Sequence, residues 1–522
     1  MAEETSKYNR RDFIKVTSAG TLAVILSGFD KLPAKEKPNI LFIAVDDLRP
    51  ELGCYGNNYV ISPNIDRLAH DGITFTQAHC QSAVCNPSRA SLLTGLRPDT
   101  IKVWDLRTNF RDNMPDAVTL PQYFKKNGYH TVGIGKIYHN IIPDDLSWCE
   151  PKLRINGYPF DPDAVYRSEK GIEYIENRKE QITSEGKQDR YIDRYGEWYL
   201  KAMAYEMPDV PDNAYFDGAQ TDVAVEKLAE LQKMDKPFFF GVGYYRPHLP
   251  FNVPKKYWDM YKREEIPLAE NDFVPKNVPP MALNNLRELK GYTDFKHIVH
   301  PLEGKLTEEE SRVLKHGYLA SVTYIDAQIG RLLKRLKELK LDKNTIVVLW
   351  GDHGWKLGEH NSWCKMTDFE IDTRVPMIIS SPGTKGKKIK SDRMVEYVDI
   401  YPTLCEMSGL KIPSGLEGIS AVPLIADPEK PWKKAVFSQF LREGIWVGPD
   451  GIEYMGYSIR TERYRYNEWI NWKTKELAAI ELYDHLHDPG ENENIAVGNE
   501  HSQLIRELSK RLKAGWKSAL PD

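Results

Sequence analysis

Uninterrupted apolar runs, each bounded by polar residues and ending in charged or imidazole side chains, recur four times along the chain. Residues 40–45 (ILFIAV) lead into Asp46 and Asp47, and "HTVGIG", following the helix stop Gly128, leads into Lys136 and His139. "FFFGVGYY" leads into Arg246 and His248, and "TIVVLW" leads into Asp352 and His353. Short apolar runs without alternation are expected of strands buried on both faces. Helical patterns separate them, among them a stripe of Leu332, Leu333, Leu336 and Leu339 before the fourth run. This alternation predicts an α/β domain around a mostly parallel sheet. Ligands of such sheets bind beyond the carboxyl ends of the strands. Asp46, Asp47, Lys136, His139, His248, Asp352 and His353 all fall there. Any one alone reads as a loop residue or a helix cap. Together, at one end of four strands, they predict a site.

The rest of the pattern is simpler. "VCNPSRASLLTG" (residues 84–95) places Cys85 at the opening of a helix, and residues 396–410 read as a helix stopped by Gly409. Beyond Pro431, short strands and a turn precede a terminal helix over residues 502–516. Tyr464, Tyr466, Trp469 and Trp472 there are expected to pack the sheet, with sugar contact as the alternative use. The charged insert 166–194 reads as a solvated helix or loop, or a substrate-side flap.

Composition narrows the classes. At 522 residues, with 41% hydrophobic and 28% charged residues, the chain is expected to be globular and neither disordered nor membrane-spanning. A net charge of -4 gives no general attraction to nucleic acid or an anionic membrane, so an anionic ligand requires local cations. At the N-terminus, "NRRDFIK" (residues 9–15) precedes an uncharged stretch, 16–29, too short to span a bilayer. This resembles a twin-arginine export signal and predicts a periplasmic protein without stable membrane insertion. No cysteine follows for lipidation. The six cysteines are scattered, with no CxxC and no zinc-like spacing. Cys85 is left as a disulfide half, a thiol nucleophile or a small buried residue. Three clustered carboxylates would repel one another without a cation, and hard oxygen donors suit Ca2+ or Mg2+. His353 matches Ca2+ poorly and on chemistry alone could contact ligand instead.

"CNPSRASLLTG" resembles the signature of type I sulfatases, whose cysteine is oxidised to Cα-formylglycine. "VDDLRPELGCYG", "SPNIDRLA", "TGLRPDT", "GKIYH", "VGYYRPHLPF", "GDHGWKLGEHNSWCK" and "MGYSIRTERYRY" extend the likeness over residues 39–466. The resemblance implies a large alkaline-phosphatase-like domain, with a mixed, mostly parallel sheet flanked by helices, over residues 38–430. A small C-terminal α+β subdomain with an antiparallel sheet follows over 431–522, and 1–37 is the signal and linker. It also implies one Ca2+ held by Asp46, Asp47, Asp352 and His353 with the formylglycine from Cys85, and active-site roles for Cys85, Arg89, Lys136, His139, His248 and Lys365. A formylglycine-generating maturase would be a partner. Asn86 stands where the family usually has Ala, Ser, Thr or Cys, which bears on how readily Cys85 is converted.

The implied chemistry explains the cysteine. A hydrated aldehyde has two hydroxyls on one carbon: one attacks sulfur, and the second later expels sulfate and restores the aldehyde. Asp352 is a candidate base, His248 or His139 would protonate the departing alcohol, and Lys136 and Lys365 would hold the sulfate oxygens. Arg89 is expected to anchor residue 85, and His360 is a weaker site candidate, a histidine on a polar loop that reads equally as structural. The likeness is to the branch of the family acting on 2-O-sulfate of a terminal uronic acid, in a sulfated oligosaccharide undergoing degradation. Alternatives are another sulfated sugar of an algal polysaccharide such as ulvan, a phosphoester or phosphonate hydrolase of the same fold, or a catalytically dead glycan-binding protein.

Overall fold

In the computed structural model, residues 37–521 are described, apart from 141, 152, 154, 156–164, 187–199, 445–446 and 448–449. The export signal read from residues 9–29 lies outside the described residues. Seven strands organise the large sheet: β1 (Asn39–Val45), β2 (Gly72–His79), β3 (His130–Gly135), β4 (Phe238–Tyr244), β5 (Thr345–Gly351), β6 (Arg374–Ser380) and β7 (Ile389–Ser391). Their order is β7-β2-β6-β5-β1-β4-β3, and Val395–Glu396 adds a short eighth strand beside β2. The four strands foreseen from the sequence form the parallel half, β3-β4-β1-β5. β6 runs antiparallel to both β5 and β2, so the sheet is mixed.

β1 shows why the apolar runs do not alternate. Leu41, Ile43 and Val45 join one core, and Ile40, Phe42 and Ala44 join the other. Successive side chains of a strand point to opposite faces, so a strand covered on both sides is apolar throughout. Helices α1 (Cys85–Thr94), α2 (Leu120–Lys126), α3 (Phe216–Gln232), α4 (Glu308–Glu338) and α5 (Ile400–Met407) supply the cover. α3 and α4 cover one face, and α1, α2 and α5 the other. α4 starts at a capping box made by Thr307 and Glu310 and runs for 31 residues, so the leucine stripe seen in the sequence marks only its C-terminal end, with Leu339 as the cap. No helix among the described residues is long and apolar enough to cross a membrane.

The C-terminal strands β8 (Ala435–Arg442), β9 (Tyr454–Thr461), β10 (Tyr464–Asn471) and β11 (Leu477–Asp484) form an antiparallel meander. Helix α6 (Ser502–Ala514) lays Leu508 on Ile459, Tyr466 and Leu482. Tyr466 and Trp469 are buried in the packing of this sheet, whereas Trp472 is half-buried. Of the charged insert, Glu169–Ser184 is a helix; residues 187–199 lie outside the described residues.

A buried charge network joins this sheet to the large one. Lys433 donates to Glu396 Oε2 (2.7 Å) and to both Asp399 oxygens (2.7 and 2.8 Å), while Arg97 grips Glu396 with two bonds of 2.8 and 2.7 Å. Lys433→Met leaves two carboxylates buried with one cation fewer and is expected to cost about 3–5 kcal/mol. A thermal melt checks this; an unchanged Tm would show that the network holds nothing together.

Candidate active site

The charged residues foreseen at the strand ends converge on Cys85. Val84 is extended and α1 begins at Cys85, with every residue of the helix buried. At the end of β1, Asp47 adopts a left-handed conformation (φ 58°), which Asp tolerates better than most residues. Its N–H donates to Asp352 Oδ1 at 3.0 Å, tying the turn after β1 to the end of β5. Lys136 reaches the site because Gly243 on β4 has no side chain; a Cβ there would lie 2.2 Å from the Lys136 carbonyl carbon. Lys365 sits between Cys364 (φ 70°) and Met366 (φ 81°), two non-glycine residues in the left-handed region. Such strain concentrates at functional sites.

Charges alternate through the cluster. Arg89 donates to Asp46 Oδ1 (3.1 Å), Asp352 Oδ2 (2.9 Å) and the carbonyls of Lys136 and Ile137, with Trp350 stacked near its guanidinium. Lys136 pairs with Asp46 Oδ2. Lys365 lies 3.0 and 2.9 Å from the two Asp47 oxygens and 2.9 Å from Glu288 Oε1. His353 Nδ1 is 3.0 Å from the Gly354 carbonyl and His248 Nδ1 is 2.6 Å from that of Leu249. A carbonyl only accepts, so each imidazole carries its proton on Nδ1 and presents Nε2 to the site. The Nε2 of His353 is 3.3 Å from Cys85 Sγ, 3.4 Å from Asp47 Oδ1 and 3.6 Å from Asp352 Oδ1.

Burial and these neighbours set the protonation. Burial alone would raise the Asp46 carboxyl, but Lys136 and Arg89 outweigh it and hold it well below the carboxylate range. Burial pushes Asp47 well above that range; Lys365 opposes this, while Asp46, Glu288 and Asp352 add to it. Burial, with Asp46 beside it, raises the Cys85 thiol far above its usual value, so a thiolate nucleophile does not fit. Burial also lowers His248 to about 3, helped by the Lys365 ammonium, and lowers His139, helped by Lys136.

A cation fits this arrangement. Ligand atoms of Asp46, Cys85, Asp352 and His353 all lie within 4.8 Å of one another, and those of Asp46, Asp47 and His248 form an overlapping set. Carboxylates in excess around an imidazole lone pair suit a divalent ion that prefers hard oxygen donors.

All the residues read from the sequence as a site lie here, His139 included: it is half-buried and within the fields of Lys136, Asp46 and His248. His360 does not; it is buried with Nε2 2.7 Å from the Gly490 carbonyl and its ring against Phe369. Sequence reasoning missed Glu288. This half-buried carboxylate, in the short helix Arg287–Lys290, bonds Lys365 and lies 3.3 Å from His248 Nε2. It lies in a segment with no strand or helix periodicity to mark it.

A mixed α/β sheet with a charged cluster at its carboxyl ends, joined to a C-terminal antiparallel sheet, is the alkaline-phosphatase-like architecture. A phosphonate monoester hydrolase from Silicibacter pomeroyi shares that fold, with a TM-score of 0.69 at 23% identity over 92% of this chain and 96% of that one. A 2-O GAG sulfatase shares it with a TM-score of 0.67 at 23% identity, over 92% of each chain. The sulfatase family model matches residues 38–410, and a model of the C-terminal part of N-sulphoglucosamine sulphohydrolase matches 358–517. The iduronate 2-sulfatase of Mus musculus is 33% identical, over 91% of this chain and 94% of that protein. The chain belongs to the sulfatase family and is a sulfuric ester hydrolase.

Proposed function

We propose that this sulfatase removes 2-O-sulfate from a terminal uronic acid of a sulfated glycan, with formylglycine made from Cys85 and one Ca2+ as its reactive equipment. The observation that carries the chemistry is Cys85, buried, 3.3 Å from His353 Nε2 and within the fields of Lys136, Lys365, Asp46 and Asp352. The sugar is argued from likeness to an iduronate 2-sulfatase over nine-tenths of both chains. Residues 38–430 form the catalytic domain and 431–522 a C-terminal subdomain. The chain is exported to the periplasm, and its cysteine is converted by a maturase.

Asp46, Asp47, Asp352 and His353 would hold Ca2+, which supplies charge to offset the carboxylates and polarise a bound sulfate. Hydrated formylglycine supplies two hydroxyls on one carbon, so release of sulfate needs no outside water as nucleophile. Lys136 and Lys365, relieved of part of their pairing with Asp46 and Asp47, bind the sulfate oxygens as charge shifts onto them. Asp352 would be the base that accepts a proton from such a hydroxyl. His248 and His139 are neutral, and Nε2 of His248 faces Glu288. With an anionic ester in place its basicity rises, so His248 can carry a proton at Nε2 and pass it to the departing sugar oxygen. Arg89 stays paired to Asp46 and Asp352, fixing them and α1 in one geometry.

The test is a panel of matched disaccharides bearing 2-O-sulfated uronate, 6-O-sulfated hexosamine, N-sulfated glucosamine or a 2-O-sulfated neutral sugar, with a phosphonate monoester alongside. The highest kcat/KM is expected on the 2-O-sulfated uronate. Faster desulfation of the hexosamines overturns the assignment, and preference for the neutral sugar redirects it to algal glycans such as ulvan. Preference for the phosphonate removes the sulfatase reading of the site.

A further inference from the structure

Asn86 follows the reacting residue directly and is buried, with 4% of its surface exposed. Its amide nitrogen donates both of its hydrogens to one loop, to the carbonyls of Asp105 (2.8 Å) and Thr108 (2.9 Å). The loop is closed on itself. Asp105 Oδ1 accepts from the N–H groups of Arg107 (2.5 Å) and Thr108 (2.7 Å), and Oδ2 accepts the Thr108 hydroxyl (2.8 Å). Between them Leu106 packs on Val84, Met366 and Phe440, so the loop touches the neighbours of both Cys85 and Lys365. It presents an exposed Arg107 and a half-buried Trp104, whose ring meets Trp472 of the C-terminal subdomain at 5.3 Å. A guanidinium and an indole on a segment tied to the residue beside Cys85 are groups suited to a carboxylate and to the face of a sugar.

We infer that Asn86 is a positioning residue that locks the 105–108 loop to the reacting residue, so that the loop reads the sugar carrying the sulfate. This rests on the glycan sulfatase reading above. The amide is suited to the task because it brings two N–H donors to two carbonyls. Alanine offers none, and aspartate of the same shape would set oxygens against oxygens. Asp105 locks the same loop from the other side and lies outside the sequence around Cys85, so it separates positioning from conversion of the cysteine.

The experiment compares wild type, Asn86→Ala, Asn86→Asp and Asp105→Ala on the preferred disaccharide of the panel, with kcat expressed per residue-85 aldehyde counted by peptide mass spectrometry. KM is expected to rise about five- to tenfold in Asn86→Ala and Asp105→Ala and further in Asn86→Asp, with kcat nearly constant. Hydrogen exchange at the amides of Arg107 and Thr108 should quicken in all three. Quickened exchange with unchanged KM would overturn the inference, because the loop would then be mobile without reading substrate. An equal fall of kcat in all variants would also overturn it, placing the effect on the reacting residue. Wild-type kinetics in Asn86→Asp would overturn it as well, because shape and not donation would then hold the loop. Failure of the underlying reading appears separately, as a wild type that desulfates no sugar in the panel.

Discussion

Cys85→Ser, made in a host whose maturase accepts only cysteine, should fold as the wild type does and then lose sustained turnover by roughly a thousand-fold or more. Residue 85 is 3% exposed at the start of a wholly buried helix, and exchanging sulfur for oxygen there changes shape little. The serine hydroxyl has the same lysines beside it and can take sulfate from one substrate molecule. It has no second hydroxyl on that carbon, so the ester stays. The expected record is at most one equivalent of alcohol released per protein, with one sulfate retained on the peptide containing residue 85. Continued multiple turnover by this variant would remove the aldehyde from the mechanism.

Exhaustive chelation should abolish activity to a similar degree, and Ca2+ should restore it better than Zn2+, since carboxylate oxygen outnumbers nitrogen in the donor set. Binding should also be visible without turnover. Burial and the carboxylates around it push the Asp47 carboxyl up in the cation-free protein, against the pull of Lys365, so protons compete there with a divalent ion. Such an ion therefore binds more tightly as pH rises, with proton release, and raises Tm in proportion to the logarithm of its concentration. Calorimetric titration of chelated protein at two pH values checks the sign. Full activity in protein shown to be metal-free would refute the site.

The parallel half of the sheet was legible because β1, β3, β4 and β5 are apolar on both faces and each ends in a charged or imidazole group. The antiparallel half was not. β2 mixes Thr74, Thr76 and Gln77 into its apolar residues, and β6 contains Pro376, where the pairing with β2 shifts register. The C-terminal meander announced itself by its aromatics, and burial of Tyr466 and Trp469 agrees with packing as their main use. Within the site, residues at strand ends were visible as a set. Lys365 and Cys85 were visible through motifs alone, because a loop and a helix start carry no periodic signal. Glu288 was invisible, since its importance comes from Lys365 and His248, both distant in sequence. The part played by Asn86 was likewise hidden, because its partners are backbone carbonyls of the 105–108 loop, which no side-chain pattern records.

The most direct measurement is the mass of the peptide containing residue 85, taken from active protein expressed with a formylglycine-generating maturase. An aldehyde or its hydrate is expected at that position, in proportion to specific activity across preparations. An intact thiol at residue 85 in fully active enzyme would contradict it.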